Sequence, residues 1–481
     1  MPVTPISLGV RSNSGRSDLS ARLINCYAED AGEEAQSRWQ VYACDSFTAF
    51  STLTGSGAGL VRGMLNVDDT TLYVMTGGRL NRVNTSGTAT DMGAVATSGV
   101  AYFARNRREP DADVAYVTSD ALFAVYRNNS DVTPSLDAAI SSSLFNSLCT
   151  LDGYAIITAS NGEFYVSSID DWTAFDPVDF AQTYLELVRG IVRGRDVVLA
   201  GTTGMQFWQN TGAADFPFER VTSAPFGCYA GGSMVNMVAA VDNVLVETVC
   251  FVGSNSDGAP VGVMLLDGYQ ARKISPPALD RLIRAEASPA SIRGTTYTSN
   301  GHVFYTVSGT AWTWEYNATR GFWHERTSSG LDRWQIAAAA EFGGKTILGS
   351  NVAASLYQVS TSVTPGSAST ISLRHSNDRG YSWTSARTKA IGGAGERSTR
   401  VKYNRLGQSK EDGKVMELTI SNAVLEAGTA NSMTIVTPAV HAYPNDVRFH
   451  ALYVDVTAGA SLTDESKGAI GLATDMEVLR G

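Results

Sequence analysis

The residue types that most often ligate metals or act as nucleophiles are few in this chain and widely separated. The sequence has no Cys-x-x-Cys pair, no His-x-His or His-Glu-x-x-His spacing, and no Gly-x-Ser-x-Gly elbow. We therefore expect no catalytic residues, no metal and no cofactor, and we interpret the cysteines as buried, reduced thiols. The residues concerned are Cys26, Cys44, Cys149, Cys228, Cys250, His302, His324, His375, His441 and His450.

The sharpest short pattern is Ser376-Asn-Asp378-Arg-Gly380-Tyr-Ser382-Trp383. Short polar side chains around a glycine can close a turn through hydrogen bonds to its backbone. The octet resembles the Asp-box hairpin of sialidases and other propeller glycosidases, where the box is a folding device and not an active site. We therefore assign Ser376, Asp378, Gly380 and Trp383 to a structural hairpin.

Residues 371–414 form a basic segment in an acidic chain. The segment contains ten Lys or Arg residues and four Asp or Glu residues, a local net charge of +6. Arginine suits bidentate contacts with carboxylates and phosphates. The candidate binding residues of this segment are Arg374, Arg387, Arg397, Arg400, Lys402 and Arg405.

The charge of the whole chain limits its functions. Its 481 residues include 37 Lys plus Arg and 47 Asp plus Glu, for a net charge of −10. Proteins that bind nucleic acid by neutralising phosphates usually carry a basic excess, so the composition disfavours general DNA binding. No run approaches the roughly 18 apolar residues of a membrane helix, and residues 1–23 lack the apolar core of a signal peptide. We expect a soluble protein without membrane insertion, made in a cytoplasm.

A repeated strand, turn and strand unit is the main evidence for the fold. Seven such units occur between residues 72 and 359, each with a Gly, Asn, Ser or Asp turn between two alternating or apolar runs. Successive turn centres are 41 to 54 residues apart. A four-stranded propeller blade needs about that much chain, whereas a sandwich shows turns about every 8 to 12 residues. The sequence therefore predicts an all-β protein with a β-propeller of six or seven blades. The turn centres are residues 77, 119, 161, 202, 255, 309 and 350.

The repeat stops after residue 360, where Ser, Thr, Gly and Pro become frequent. Strand-like runs follow, so we expect a second, β-rich domain. Helical signal is scarce, and residues 276–284 are the best short helix because proline stands early and apolar residues follow. The predicted divisions are an N-terminal arm and lead-in (1–45), a β-propeller (46–360) and a C-terminal β-rich domain (361–481).

Several short motifs, taken in their order along the chain, resemble the tail nozzle proteins of short-tailed bacteriophages, also called packaged DNA stabilization proteins. The likeness spans about residues 20 to 420, and its specificity comes from the combination of motifs. The motifs are Asn25-Cys-Tyr27-Ala-Glu29, Val61-Arg62-Gly63-Met64, Trp208-Gln-Asn210-Thr-Gly212, Phe216-Pro217-Phe218-Glu-Arg220-Val221, Gly227-Cys228, Asp267-Gly-Tyr269, Ile274-Ser275, the Ser376 to Trp383 box and Arg405-Leu406-Gly407.

The resemblance implies a structural virion protein of a podovirus, without enzymatic activity, made in the bacterial host cytoplasm and located in the viral tail. It implies a homohexameric ring, called a nozzle or tail hub, that docks under the portal-adaptor (head-to-tail connector) ring. The ring extends the DNA channel, retains packaged DNA and conducts it at ejection. The implied partners are the other subunits, the adaptor and double-stranded DNA that passes without sequence-specific binding; tail fibres, spikes or a needle are further candidates.

Two questions stay open at the level of sequence. The basic residues either contact acidic surface or face the DNA channel. In the first case, the acidic surface belongs to a neighbouring subunit or to the adaptor; in the second, the residues slow the DNA. We favour the interface because arginine is enriched in interfaces.

The function also has two alternatives. A propeller glycosidase acting on host surface glycans would need paired carboxylates, or a Tyr/Glu pair with three arginines spread over the blades. A monomeric propeller scaffold would form no ring.

Overall fold

The computed structural model describes residues 4–5, 22–30, 39–55, 57–95, 98–241, 244–360, 370–378, 380–391, 399–409, 413–439, 446–456 and 469–479. The chain divides into two compact units. Unit 1 comprises Met1–Thr48, Ala311–Trp334 and Val359–Gly481, and unit 2 comprises Ala49–Thr310 and Gln335–Gln358. Residues 311–334, inside the span 46–360 that the sequence assigns to the propeller, therefore group with unit 1.

Five short strands precede the repeated units. Two of them, β3 and β4, form an antiparallel hairpin in which Cys26 lies opposite Ala43. Cys26, Ala28 and Val41 of this hairpin are fully buried, so one face of it contributes to a core. The five strands are β1 (Thr4–Pro5), β2 (Arg22–Ile24), β3 (Cys26–Asp30), β4 (Trp39–Ala43) and β5 (Ser46–Thr52).

Unit 2 is built from antiparallel sheets. The strands in the middle of each sheet have buried side chains on both faces. Every residue of the run Asp196–Gly201 is buried, as expected for a strand that is covered on both sides. Within the described residues, five sheets have four strands each. They are β6 (Val61–Asn66), β7 (Thr71–Thr76), β8 (Arg79–Asn84) and β9 (Ala89–Ala94); β10 (Ala101–Arg105), β11 (Asp113–Thr118), β12 (Phe123–Arg127) and β13 (Ser130–Asp131); β14 (Phe145–Leu151), β15 (Tyr154–Ala159), β16 (Glu163–Ser168) and β17 (Asp171–Gln182); β18 (Leu187–Arg193), β19 (Asp196–Gly201), β20 (Met205–Asn210) and β21 (Phe218–Ala224); and β22 (Gly227–Val241), β23 (Val244–Ser254), β24 (Pro260–Asp267) and β25 (Gln270–Lys273).

The chain continues through the expected short helix and further strands. β26 pairs with β27, and β30, β31 and β32 form an antiparallel series, while β28 and β29 form a hairpin in unit 1. No helix among the described residues is long and apolar enough to cross a membrane. The elements are 3₁₀ turns at Ser142–Leu144 and Pro289–Ser291, α1 (Pro277–Ala285), β26 (Arg293–Ser299), β27 (His302–Ser308), β28 (Thr313–Asn317), β29 (Phe322–Glu325), β30 (Ile336–Phe342), β31 (Lys345–Ser350) and β32 (Ser355–Ser360).

The first strand of each group lies at the centre of unit 2. The strands β6, β10, β14, β18, β22, β26 and β30 contact one another in that order, and β30 also contacts β6, so the ring is closed. Hydrophobic side chains fill the spaces between neighbouring sheets; for example, the ring centroids of Tyr73 and Tyr126 lie 6.2 Å apart. Over the described residues the fold is therefore a seven-bladed β-propeller, which confirms the predicted fold and decides between six and seven blades.

The C-terminal strands form a β-sandwich in unit 1. One sheet has the order β3-β4-β39-β38-β35, with β1 beside β39, and in the other β34, β33, β36, β37 and β2 lie side by side. Side chains from both sheets, such as Leu373, Leu418 and Leu452, form one core. The predicted β-rich domain is confirmed, and N-terminal strands complete it. The strands are β33 (Thr370–Ser376), β34 (Arg387–Ala390), β35 (Thr399–Ser409), β36 (Val415–Glu426), β37 (Thr429–Val436), β38 (Asp446–Val456) and β39 (Ala469–Leu479).

Candidate assembly surface

The described residues of the octet, 376–378 and 380–383, form a closed turn at the end of β33. The Ser376 hydroxyl donates to Asp378 Oδ1 (2.6 Å) and accepts from the Gly380 amide (2.8 Å). Hydrogen bonds from Ser376 and then from Ser382 to the carboxylate lower the pKa of Asp378 to about 2. Trp383 Nε1 donates to the carbonyl of Gly380 (3.0 Å), whose φ of +93° suits glycine. The box residues thus hold one another in the turn.

Three cations of the basic segment bind the edge of β35, which is the last strand of its sheet within the described residues. An edge strand leaves alternate carbonyls without a strand partner, and these side chains satisfy three of them. Their charge is therefore held against the backbone of unit 1. The bonds run from Lys389 Nζ to the Lys402 carbonyl (2.7 Å), from Arg387 Nη1 to the Asn404 carbonyl (2.7 Å) and from Lys414 Nζ to the Leu406 carbonyl (2.9 Å).

Tyr403 lies beneath this row of cations. Its hydroxyl donates to the carbonyl of Ile371 in the opposite sheet (2.8 Å), and burial raises the pKa of Tyr403 to about 12. Arg387 Cζ and Lys389 Nζ lie 5.7 and 5.4 Å from the centroid of its ring. Both cations therefore gain cation–π contacts in addition to their hydrogen bonds.

Arg374 is engaged in a two-point ion pair with Glu417. The Nε to Oε1 distance is 2.6 Å and the Nη2 to Oε2 distance is 2.8 Å. The guanidinium also lies over the Trp383 ring, with Cζ 4.8 Å from its centroid. Arg374 therefore connects β33, β36 and the box.

Two titratable groups near the same surface, one buried and one partly buried, have shifted pKa values. Lys414 is fully buried, and burial together with the charge of Arg387 lowers the pKa of Lys414 to about 8. Burial, followed by the charges of Lys414 and Arg387, lowers the pKa of His375 to about 4. His375 is consequently uncharged at neutral pH.

The remaining candidate residues are at the surface. Arg400, Lys402 and Arg405 are exposed on β35. Lys402 Nζ lies 5.0 Å from the centroid of the Tyr453 ring on β38, and Arg405 occupies a bulge with φ of +59°. Arg397 lies outside the described residues. Within the described residues, Arg400, Lys402 and Arg405 are thus three exposed cations on one strand.

Sequence patterns give no sign of a buried polar cluster in unit 1. Glu315 Oε1 lies 2.7 Å from His324 Nε2 and 3.2 Å from Arg326 Nη1. Cys44 adds a third possible metal ligand, and the ligand atoms of Cys44, Glu315 and His324 lie within 4.8 Å of one another. Such residues can bind Zn²⁺, but the Arg326 guanidinium already supplies positive charge beside Glu315. We interpret the cluster as structural. Glu315 and His324 stand opposite each other on the hairpin of β28 and β29, whereas Cys44 comes from a distant segment, so the cluster as a whole matches no local spacing.

The chain is distantly similar to several solved structures. The computationally designed Ika8 protein is 13% identical, with 65% of this chain and 99% of that chain covered and a TM-score of 0.39. The WD40 β-propeller domain of Doa1 is 14% identical, with 66% and 96% covered and a TM-score of 0.40. PorZ of Porphyromonas gingivalis, a component of the type-IX secretion system, is 8% identical, with 77% and 44% covered and a TM-score of 0.39. No curated protein matches the chain.

A family model matches residues 5–364 of the chain and carries the description "Phage_stabilise: Bacteriophage P22 Gp10, beta-propeller". The matched span contains the seven innermost strands of unit 2. The match also agrees with the family resemblance that the short motifs carry. The chain therefore belongs to the family of bacteriophage P22 Gp10, beta-propeller.

Proposed function

We propose that this protein is the nozzle or hub subunit of a short-tailed phage tail, forming a homohexameric ring below the portal-adaptor. The observation that carries the proposal is the family match over residues 5–364, in which unit 2 folds as a seven-bladed propeller. In this role the ring extends the DNA channel, retains the packaged genome and conducts it at ejection. The protein acts in the virion as a structural component without enzymatic activity.

The presence of two different units in one chain is consistent with assembly into a ring. A closed ring of identical subunits needs a head-to-tail contact between two different faces of each subunit. Unit 1 is a β-sandwich and unit 2 a propeller, so one chain carries two unlike surfaces. A protein that acted as a monomeric scaffold would need no such pair of complementary faces.

The net charge of −10 supports a conduit through which DNA slides. A wall rich in Lys and Arg would neutralise phosphates, release counterions and hold the duplex in place. An acidic wall repels the duplex and leaves it mobile. The charge of the chain therefore agrees with passage of DNA without sequence-specific binding.

We place the contact with a neighbouring subunit or the adaptor at Arg400, Lys402 and Arg405. All three are exposed on β35, whereas Arg374 and Arg387 are partly buried. Exposed cations on one strand of an acidic chain suit an acidic protein surface, and arginine is enriched in interfaces. Arg397 belongs to the same proposal by its position in the sequence.

Single-particle electron microscopy of the purified full chain tests the proposal, with particle mass measured in parallel over a concentration series. We expect six-fold rings with a central opening wide enough for duplex DNA, either for the chain alone or after addition of the adaptor of the same phage. Monomers under both conditions would contradict the ring and favour the scaffold.

A further inference from the structure

Three innermost strands of the propeller share a local pattern of an aliphatic residue, arginine and glycine. The glycines stand where neighbouring chain approaches closely: a Cβ atom at Gly190 would lie 2.8 Å from Thr158 Cγ2, and one at Gly294 would lie 2.5 Å from the Ser233 carbonyl oxygen. The pattern therefore places an arginine beside the most crowded part of the inner ring. It occurs as Val61-Arg62-Gly63 in the first blade, Val188-Arg189-Gly190 in the fourth and Ile292-Arg293-Gly294 in the sixth.

Arg189 and Tyr102 meet across the axis of the propeller. Arg189 Cζ lies 3.5 Å from the centroid of the Tyr102 ring. The two residues stand on β18 and β10, which belong to the fourth and second blades, and side chains of blades that are not neighbours can meet only in the central channel. A Cβ atom at Gly232 in the fifth blade would lie 3.4 Å from Val100 Cγ2 and 3.8 Å from Arg293 Cγ. Arg293 of the sixth blade therefore reaches the same region.

The positive charge of these three arginines is only partly balanced by carboxylates. Arg62 Nε donates to the Gly99 carbonyl (2.7 Å), and Arg62 Nη2 lies 3.8 Å from Asp120 Oδ1. In the described part of the chain, neither Arg189 nor Arg293 has a carboxylate within 4.0 Å. The Nε and Nη1 atoms of Arg189 are buried there without a hydrogen-bond partner. Burial lowers the pKa of all three arginines, which reflects the cost of desolvating their charge.

We propose that the axis of the propeller is a binding site for a small oxyanion of the phosphate or sulfate class, with Arg189 and Arg293 as its main ligands. A guanidinium presents several N–H donors in a plane, which suits the oxygens of such an ion. An anion would accept hydrogen bonds from the buried donors of Arg189 and balance the charge of Arg293. Arg62 already has the Asp120 carboxylate nearby. Val100, Gly232 and Arg293 approach one another closely in this region, so a ligand bound there must be small. The proposal is independent of ring formation.

The same residues bear on one of the two constellations that a glycosidase could use, a Tyr/Glu pair with three arginines. The three arginines and a tyrosine are present, but a tyrosine nucleophile needs a carboxylate base and a lowered pKa. Burial raises the pKa of Tyr102, although the charges of Arg189 and Arg293 act in the opposite direction. The site suits binding of an anion without bond cleavage.

Phosphorus-31 NMR of inorganic phosphate added to the purified full chain tests the site, together with thermal unfolding in phosphate and in chloride at equal ionic strength. We expect saturable broadening of the phosphate signal and a rise of Tm with phosphate. Arg189→Gln and Arg293→Gln should each weaken phosphate binding roughly tenfold or more, the effect of losing charge-assisted hydrogen bonds. Arg195→Gln, an exposed arginine near the end of the same strand, should bind phosphate like the unmodified protein.

Two further comparisons separate binding from packing. Arg189→Lys keeps the charge but loses the planar donor group, and should bind phosphate with intermediate affinity. A loss of Tm in Arg189→Gln with unchanged phosphate broadening would show that Arg189 only packs against Tyr102, and would overturn the proposal. Absence of saturable broadening in the unmodified protein would overturn it as well. So would stabilisation by a short DNA duplex under conditions where inorganic phosphate has no effect.

Discussion

Arg374 and Glu417 stand directly opposite each other on β33 and β36, and the Arg374 guanidinium donates two parallel hydrogen bonds of 2.6 and 2.8 Å to the Glu417 carboxylate. The exposed fractions of their side chains are 43% and 16%. Because solvent reaches the pair, its contribution to stability is modest despite the good geometry. The guanidinium of the pair also contacts the Trp383 ring of the box.

Substitution of this pair gives the first prediction. Arg374→Ala should lower the free energy of unfolding by about 1 kcal/mol, and a double-mutant cycle with Glu417→Ala should show a coupling of about 0.5 to 1 kcal/mol. Arg374→Lys keeps the charge without the two-point geometry and should fall between. Urea denaturation of the unmodified protein and the four variants measures these energies. A coupling near zero would mean that the ion pair adds nothing beyond packing.

The second prediction concerns the exposed cations of β35. The triple variant Arg400→Ala, Lys402→Ala and Arg405→Ala should fold normally, because these side chains are at the surface, yet fail to form rings or to bind the adaptor. Analytical ultracentrifugation and electron microscopy measure assembly. Normal assembly combined with leaky or slow release of DNA would place the three residues in the channel instead.

A matched control for that variant uses three exposed arginines of unit 2. The triple variant Arg195→Ala, Arg272→Ala and Arg281→Ala removes the same total charge from the propeller surface. It should assemble like the unmodified protein. If both triple variants lose assembly equally, the effect follows net charge and not the position of the residues on β35.

The third prediction tests the box. Asp378→Ala removes the acceptor for Ser376 and for the Ser382 amide, so the turn should open locally. Hydrogen exchange measured by mass spectrometry should become faster at the amides of Gly380 and Ser382, with little change elsewhere. Asp378 has a folded-state pKa of about 2, below its ordinary value of 3.8, so the stabilisation of the turn is present above about pH 4 and is lost as the pH falls toward 2. Unchanged exchange in the variant would contradict this role.

The fourth prediction is a pH dependence of stability from His375. Its folded-state pKa is about 4 and its ordinary value is 6.5, so the unfolded chain binds the proton more readily in this window. Stability should therefore fall as the pH is lowered from about 6.5 to about 4, on the order of 2 kcal/mol for this group. His375→Gln should remove that part of the slope. Urea denaturation across this pH range measures it, and an identical slope in both proteins would assign the effect to other groups.

Local interactions explain what could be predicted from the sequence. The turn at Gly77 and the hydrogen bonds around Asp378 involve residues a few positions apart, so their patterns are visible in the sequence. The regular spacing of the seven turns of the repeated units predicted the blades. Proline at the start of residues 276–284 predicted the helix α1. The number of blades was left at six or seven, because only the contact between β30 and β6 closes the ring.

Contacts between distant segments could not be predicted from the sequence. Arg22 at the start of β2 pairs with Val436 of β37, more than 400 residues away, and no periodicity in either segment indicates that partner. Cys44 likewise reaches Glu315 and His324 from a segment about 270 residues away. A basic segment likewise looks uniform in sequence, although Arg387 binds a carbonyl of unit 1 and Arg400 is exposed.

The sequence by itself determined the class of fold, the repeated blades, the closed turn of the box and the family, because short-range hydrogen bonding and turn chemistry depend on neighbouring residue types. Only the tertiary structure decided which cations are bound and which are exposed, and which arginines meet at the axis of the propeller. The physical reason is that burial and charge pairing depend on distances between atoms that the chain brings together from separate strands, and a spacing along the chain does not encode those distances.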